Sequence, residues 1–220
     1  MKFAIVVGFA QEAAIVGNPD NAVVIIGGGN AAKLASELNA AIDGGCDHVL
    51  SFGTWGALDP AIKAGEIGVG WSLVGAGLTT SCDRAWASSL IATTGARAVV
   101  VTISATTVAT AADKAALRVQ TGADVVDFET LVAARVAWNR GVKFAALRAA
   151  SDTADQDIPP AALAALGAGG GIDIRAVIGS LFGDLRELPA LERLDASSRA
   201  AFDALPLALA DIGINFGAPR

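Results

Sequence analysis

VVDFETLVAARVAWNRGVKFAALRAASDTAD, running from Val125 to Asp155, decides how the chain folds. It opens on a short extended pair, Val125–Val126, and passes into a helical pattern over Glu129–Asn139. The helix stops at Gly141, and an apolar strand follows over Val142–Ala150. Two carboxylates bracket this helix-turn-strand unit, Glu129 where the helix starts and Asp152 just past the strand. A unit of this shape delivers both acids to the C-terminal edge of a sheet, where open α/β sheets bind their ligands. Carboxylates in different surroundings hold different protonation states, as acid–base chemistry near neutrality requires.

The same alternation extends to either side. Phe3–Gly8, Ala22–Ile26, His48–Phe52, Gly65–Leu73 and Ala98–Ser104 read as strands, with the third turning at Gly53. Ala31–Ile42, a helix capped by Asp83 that runs to about Thr94, and Ala111–Gln120 read as helices. Pro159-Pro160 punctuates the chain, and the pattern beyond it is helical only. Ile172–Phe182 and roughly Ser197–Ala210 are amphipathic, joined by a linker containing Pro189. The expectation is one α/β domain over residues 1–220, a three-layer fold with a central mixed, largely parallel sheet and helices on both faces. Residues 1–160 carry the motif-bearing core, and 161–220 the C-terminal helices.

Composition narrows the function classes. With 53% hydrophobic and 17% charged residues, the chain suits a sheet covered on both sides. It also suits a protomer that buries surface against its own copy, so a homodimer or higher homo-oligomer is expected, with short helices near Trp71–Trp86 as the buried face. The net charge is −6 and no Lys/Arg run occurs, so the footprint of a nucleic-acid binder is missing. No apolar run is long enough to span a bilayer. The apolar start is interrupted by Gln11 and Glu12 and does not read as a signal segment, so a cytoplasmic location is expected. Cys46 and Cys82 form no motif and read as reduced thiols. His48, the single histidine, enters an apolar strand and reads as structural, and no ligand spacing suggests a metal site.

Two glycine turns are candidate ligand contacts. Gly27-Gly28-Gly29-Asn30 lies between a strand and a helix, where free backbone N–H groups face an anion. Its bland reading is a tight turn, and the third glycine of a dinucleotide fingerprint is absent. Ser51–Leu58 offers two glycines (Gly53 and Gly56), the Thr54 hydroxyl and the flat face of Trp55. Taken singly, Glu129 reads as an acid favoured in the first turn of a helix, and Asp152 as the N-cap of the next one.

As an ordered set, these pieces resemble the purine nucleoside phosphorylase / methylthioadenosine–S-adenosylhomocysteine nucleosidase superfamily. The resemblance rests on Val6–Glu12, Gly27–Asn30, Gly53–Leu58, Lys63–Ile67, Val126–Thr130 and Arg148–Asp155, which together cover residues 1 to about 160. It implies cleavage of the N-glycosidic bond of an adenine nucleoside, a small-molecule substrate. It makes Asp152 the acid that protonates the purine, oriented by Ser151. It makes Glu129 the ligand of the ribose hydroxyls, beside an apolar Phe128 where the family usually has Met. Glu12 corresponds, with a shift of one residue, to the glutamate that activates water, and Thr54 to a small hydroxyl residue near ribose or phosphate. Gly53 and Gly28 fall in the turns that approach the ligand.

The departures carry expectations too. No Arg precedes Arg84, and phosphate held without guanidinium contacts is bound weakly. Water is therefore favoured as nucleophile; no resident cofactor is expected, and inorganic phosphate would enter only as a co-substrate. The base-stacking aromatic of the family falls at Thr106–Thr107, so Trp55 is expected to supply that face. A shorter segment after the first helix leaves room for a large apolar 5′ substituent. The C-terminal part, including Leu185–Leu205, is similar to a branch associated with hopanoid biosynthesis, which implies removal of adenine from an adenosyl-hopane. Two other readings compete. One is a catalytically degenerate relative that binds nucleoside or lipid, and the other is an unrelated nucleotide-binding α/β protein.

Overall fold

Five consecutive apolar residues, Phe3–Val7, are buried without interruption in a computed structural model of the chain. A strand covered on both faces has no solvent side, so it needs apolar side chains at every position rather than at alternate ones. The structure describes residues 1–75, 77–104, 106–165 and 188–219. In chain order the elements are β1 (Phe3–Val7), α1 (Ala10–Val16), β2 (Ala22–Ile26), α2 (Ala31–Asp43), β3 (His48–Ala57), β4 (Ile67–Gly75) and β5 (Leu78–Ser81). Then come α3 (Arg84–Thr94), β6 (Arg97–Ile103), α4 (Ala111–Thr121), β7 (Val125–Asp127), α5 (Thr130–Asn139), β8 (Lys143–Asp152), α6 (Pro160–Ala165) and α7 (Leu188–Ile212).

The sheet is mixed, with parallel ladders in the majority, as expected. β2, β1 and β3 run parallel. β1 covers β3 only over His48–Ser51, which frees the far end of that edge for β7, antiparallel at Gly56–Ala57. The other edge of β3 carries β8 in parallel along its length. From β7 the ladder passes in parallel to β6 and β4, and β4 returns antiparallel to β8. The strands β3, β7, β6, β4 and β8 therefore close a ring, and β2 and β5 are left as the edge strands, paired only with β1 and β4. Helix α2 packs on α5 over one side, and α1 and α3 pack on α7 over the other.

Local chemistry sets the element ends. Asn30, Asp83 and Thr110 accept the N–H groups of Lys33, Trp86 and Asp113 at 2.9, 2.9 and 3.0 Å, capping α2, α3 and α4. Gly95 and Gly122 end α3 and α4 in the left-handed region that glycine enters at no steric cost.

Several expectations need correction. β3 does not turn at Gly53 but continues to Ala57. The Trp71–Trp86 stretch is not a pair of short helices. It spans the end of β4, β5 and the start of α3. Trp86 is wholly buried and donates its indole N–H to the Phe216 carbonyl at 2.8 Å, so it belongs to the core of its own chain. Pro189 lies in the first turn of α7 rather than in a linker, where its missing N–H costs no helical hydrogen bond. The helix expected over Ile172–Phe182 lies outside the described residues. His48 sits buried between Phe3 and Trp86, at ring-centre distances of 5.2 and 5.4 Å. Both cysteines are buried and free, and burial pushes the Cys82 thiol up to about 12. Among the described residues, no helix is long and apolar enough to cross a membrane.

Candidate active site

The register of β8 against β3 slips at one point. Trp55 pairs with Ala150 and Gly56 with Asp152, so Ser151 is an extra residue in β8. Bulges of this kind re-aim side chains beside functional sites. Here Ser151 Oγ lies 3.2 Å from the Trp55 carbonyl and 3.0 Å from Asp152 Oδ2. Gly56 lets the strands close on the acid, since a Cβ there would stand 3.3 Å from Asp152 Oδ1. Asp152 caps no helix, contrary to the bland reading of its sequence. Its Oδ1 accepts from the Lys114 ammonium at 2.5 Å, and both side chains are buried.

Glu129 is freed by its neighbour. Asp127 accepts the Thr130 N–H at 3.1 Å and the Thr130 hydroxyl, capping α5 in place of Glu129. The Glu129 side chain turns towards the loops after β1 and β2 instead. Two glycines make the space there. A Cβ on Gly27 would lie 2.6 Å from Glu129 Cγ, and one on Gly8 3.3 Å from Glu129 Oε2. Arg148, buried in the middle of β8, pairs with Asp127 and lies 3.5 Å from Glu129 Oε2 and 3.8 Å from Glu12 Oε2. Three carboxylates thus share one guanidinium. Burial pushes the Glu129 carboxyl up to about 7. Asp127 and Glu12 push the same way, while Arg148 and the Gly29 N–H oppose the rise.

Glu12 has no exposed surface and is saturated. Its Oε2 accepts the Gly8 and Phe9 N–H groups at 2.7 and 3.1 Å. Its Oε1 accepts the Thr54 N–H and hydroxyl at 2.7 and 2.8 Å. Gly53 makes room for this carboxyl, because a Cβ there would stand 2.4 Å from Glu12 Cδ.

A cavity of about 620 Å³ joins these parts. Asp152, Ser151, Glu129, Phe128, Thr54 and Trp55 border it, so the structure brings together six of the residues expected from sequence. A smaller cavity of about 220 Å³, lined by Gly27, Gly29, Asn30 and Leu34, adjoins it and shares Ser104, Phe128 and Glu129. Three expected residues line neither. Glu12 is enclosed, Gly53 serves Glu12, and Gly28 donates its N–H to the Gly8 carbonyl at 3.1 Å. Trp55 borders the cavity, yet it is only 3% exposed, and its indole packs where a Cβ of Gly68 would stand, 2.6 Å from Cζ2. Among the described residues, the aromatic side chains bordering the cavity besides Trp55 are Phe9, Phe128 and Phe202.

Lys114, Arg148 and the wall built by α7 stand in the site without having been expected there. Lys114, in an alanine-rich helix, looks like any solvated lysine. Arg148 stands inside a quoted motif, and its burial follows only from the ring of strands around it. Leu191, Leu194, Ser198 and Phe202 of α7 face the cavity at helical spacing, which was legible once the helix was known to extend to Leu188. Among the described residues, no group of three His, Cys, Asp or Glu side chains is arranged to hold a metal ion.

No protein-family model and no curated protein sequence matches this chain. Solved structures do match in fold. A 5′-methylthioadenosine/S-adenosylhomocysteine nucleosidase from Colwellia psychrerythraea 34H, in complex with adenine, superposes with a TM-score of 0.70 at 16% identity, covering 99% of this chain and 94% of that one. The native futalosine hydrolase of Helicobacter pylori strain 26695 gives 0.71 at 15% identity, over 96% and 97% of the two chains. The 5′-methylthioadenosine/S-adenosylhomocysteine nucleosidase of Neisseria meningitidis, with methylthio-immucillin-A, gives 0.71 at 15%, over 99% of each. At these identities the likeness is one of fold, and it is the fold that the sequence motifs led us to expect.

Proposed function

We propose that the chain is a purine nucleosidase that cleaves the N-glycosidic bond of an adenine nucleoside with water. The observation that carries this reading is that Asp152 and Glu129 border one cavity in unlike electrostatic surroundings. Asp152 protonates the purine as the C1′–N9 bond breaks, and the bonding electron pair leaves with the base. Glu129 accepts hydrogen bonds from the ribose hydroxyls and favours the developing positive charge on the sugar. Phe128, Phe9 and Phe202 provide the apolar faces for base and sugar in place of Trp55. Glu12 reaches the cavity through Thr54. A water that donates to the Thr54 hydroxyl passes its proton onward to Glu12 Oε1, 2.8 Å away.

Water rather than phosphate is supported by the cations. Among the described residues, those bordering the cavity are Lys114 and Arg199, and each already faces a carboxylate, Asp152 and Asp195. The apolar wall of Leu191, Leu194, Phe202, Ile158 and Val108 supports a large apolar 5′ substituent, as in adenosylhopane of hopanoid biosynthesis. The strongly apolar composition, 53% hydrophobic, supports assembly into a homo-oligomer, for which sedimentation finding only monomer is the contrary result. The functional test is adenine release from adenosine, methylthioadenosine and a 5′-lipid-substituted adenosine, with and without phosphate, against Asp152→Asn. Release without phosphate that Asp152→Asn abolishes is expected. Full activity in that variant overturns the reading. Tight binding with no release from any substrate favours a degenerate binding protein.

A further inference from the structure

Lys114 is about 1% exposed, on the second turn of a helix whose neighbouring positions face solvent. A buried ammonium is costly unless every proton is matched. Here all three are. Nζ donates to Asp152 Oδ1 at 2.5 Å, to the Thr153 carbonyl at 2.7 Å and to the Gln156 carbonyl at 2.8 Å. Nothing remains on this ammonium to bind a substrate, although it stands at the cavity wall. The loop it grips is braced elsewhere as well. The Asp157 carboxylate accepts the Ala111 N–H at 2.7 Å, and the Ile158 N–H reaches the Ala109 carbonyl at 2.7 Å. The ammonium's one ion pair is with the carboxylate of Asp152; the exposed Asp155 carboxylate feels the same charge without contact.

The two Asp152 oxygens are thereby unequal. Oδ1 is held by a full positive charge. Among the described residues, Oδ2 meets only the Ser151 hydroxyl, at 3.0 Å. That hydroxyl also lies 3.2 Å from the Trp55 carbonyl, and it has one proton to give. Donated to the carbonyl, it leaves a lone pair to accept from a protonated Oδ2. A proton on Oδ1 would instead oppose the ammonium.

We propose that Lys114 is a positioning residue that makes Asp152 a one-sided acid, anchoring Oδ1 so that the transferable proton rides on Oδ2 beside Ser151. This rests on the nucleosidase reading above. In the step itself, the Oδ2–H bond breaks as a purine nitrogen takes the proton, and the C1′–N9 pair leaves with the base. Asp152 is left as a carboxylate that the ammonium already faces. Among the described residues, the other charged groups bordering the cavity are Asp195 and Arg199 from α7, and Asp127 and Glu129 from the opposite wall. Asp127 and Glu129 have Arg148 as counter-charge, and Asp195 has Arg199.

The test compares Lys114→Met, Lys114→Arg and Asp152→Asn, alone and combined, by kcat, KM and the pH–rate profile, with the Asp152 carboxyl titration followed by carbon NMR. An acid must be protonated to act, so its activity falls as pH rises through its titration. Removing the ammonium disfavours the carboxylate, which moves that fall to higher pH. Lys114→Met is expected to lower kcat about 10- to 100-fold with KM little changed and to shift the alkaline limb and the NMR midpoint upward together. Lys114→Arg restores the position of both, and Lys114→Met adds no further loss in the Asp152→Asn background. A loss of rate with limb and midpoint unmoved, or additive losses in the double variant, overturns the proposal. If Lys114→Met does not fold, Lys114→Arg carries the same titration test, and a midpoint or limb that moves in it is the contrary result. If the unaltered protein releases no base from any nucleoside, the nucleosidase reading falls, and the Asp152 titration still decides whether Lys114 governs that acid.

Discussion

The cavity has two acidic walls, and they are built on opposite principles. On one, Asp152 is ion-paired with an ammonium whose protons are all accounted for. On the other, Glu129, Asp127 and Glu12 divide a single guanidinium, and Glu129 is pushed up to about 7 by its burial. The first wall is charge-balanced and the second carries excess negative charge. A cationic transition state, as in glycosidic cleavage, is drawn to the second wall, whereas a proton donor is governed by the first. The two acids, both almost wholly buried, are separated in role by the number of cations each can call on.

The sharpest way to break this contrast is at the balanced wall. Asp152→Asn is expected to lower adenine release about 10²- to 10⁴-fold while circular dichroism and melting stay native-like. On the crowded wall, Arg148→Met leaves three buried carboxylates without counter-charge. A loss of about 3–5 kcal/mol is expected in denaturant unfolding, and a loss under about 1 kcal/mol contradicts the sharing described here. Gly53→Ala asks whether Glu12 belongs to that wall. The position has φ +137, and a Cβ would stand 2.4 Å from Glu12 Cδ. A cost of about 1–3 kcal/mol is expected, and Gly29→Ala, with open space around its Cβ position, tests strain alone.

The smallest effect is that of pH on Glu129. Its folded value of about 7 lies above the ordinary glutamate range, so folding favours the protonated form. That stabilisation is complete below the ordinary range and is lost as pH rises to about 7. On the proposed role of Glu129 as ribose ligand, binding needs the ionised form, and KM is expected to rise as pH falls below about 7. Glu129→Gln is expected to flatten both trends, and melting temperatures that keep their slope in that variant speak against the assignment.

The alternation of strands and helices was legible because each strand is an uninterrupted apolar run, and uninterrupted runs mean burial on both faces. Asp152, Ser151, Glu129 and Phe128 were legible for another reason. Short spans place them at the ends of consecutive elements, where chain direction alone carries them to one edge. What was less legible is depth. Glu12 and Gly53 lie behind the cavity wall against each other, and Trp55 borders the cavity with its indole packed over Gly68, because no local pattern says which side of a twisted strand is occupied. Lys114 becomes visible only when α4 is laid against the end of β8, a contact between residues 38 positions apart. Pro189 looked like a break, but at a helix start proline is compatible with continuation.

Helix α7 reaches the cavity from beyond residue 187, while Asp152, Lys114, Glu129, Asp127, Glu12 and Arg148 all lie at or before Asp152. Chemistry and selectivity are thus written in separate stretches of the chain. Leu191, Leu194, Ser198 and Phe202 can be exchanged in combination without altering a single proton acceptor at Asp152 or Glu129. A combinatorial library confined to those four codons would change which molecules are admitted while leaving the machinery that acts on them as it is.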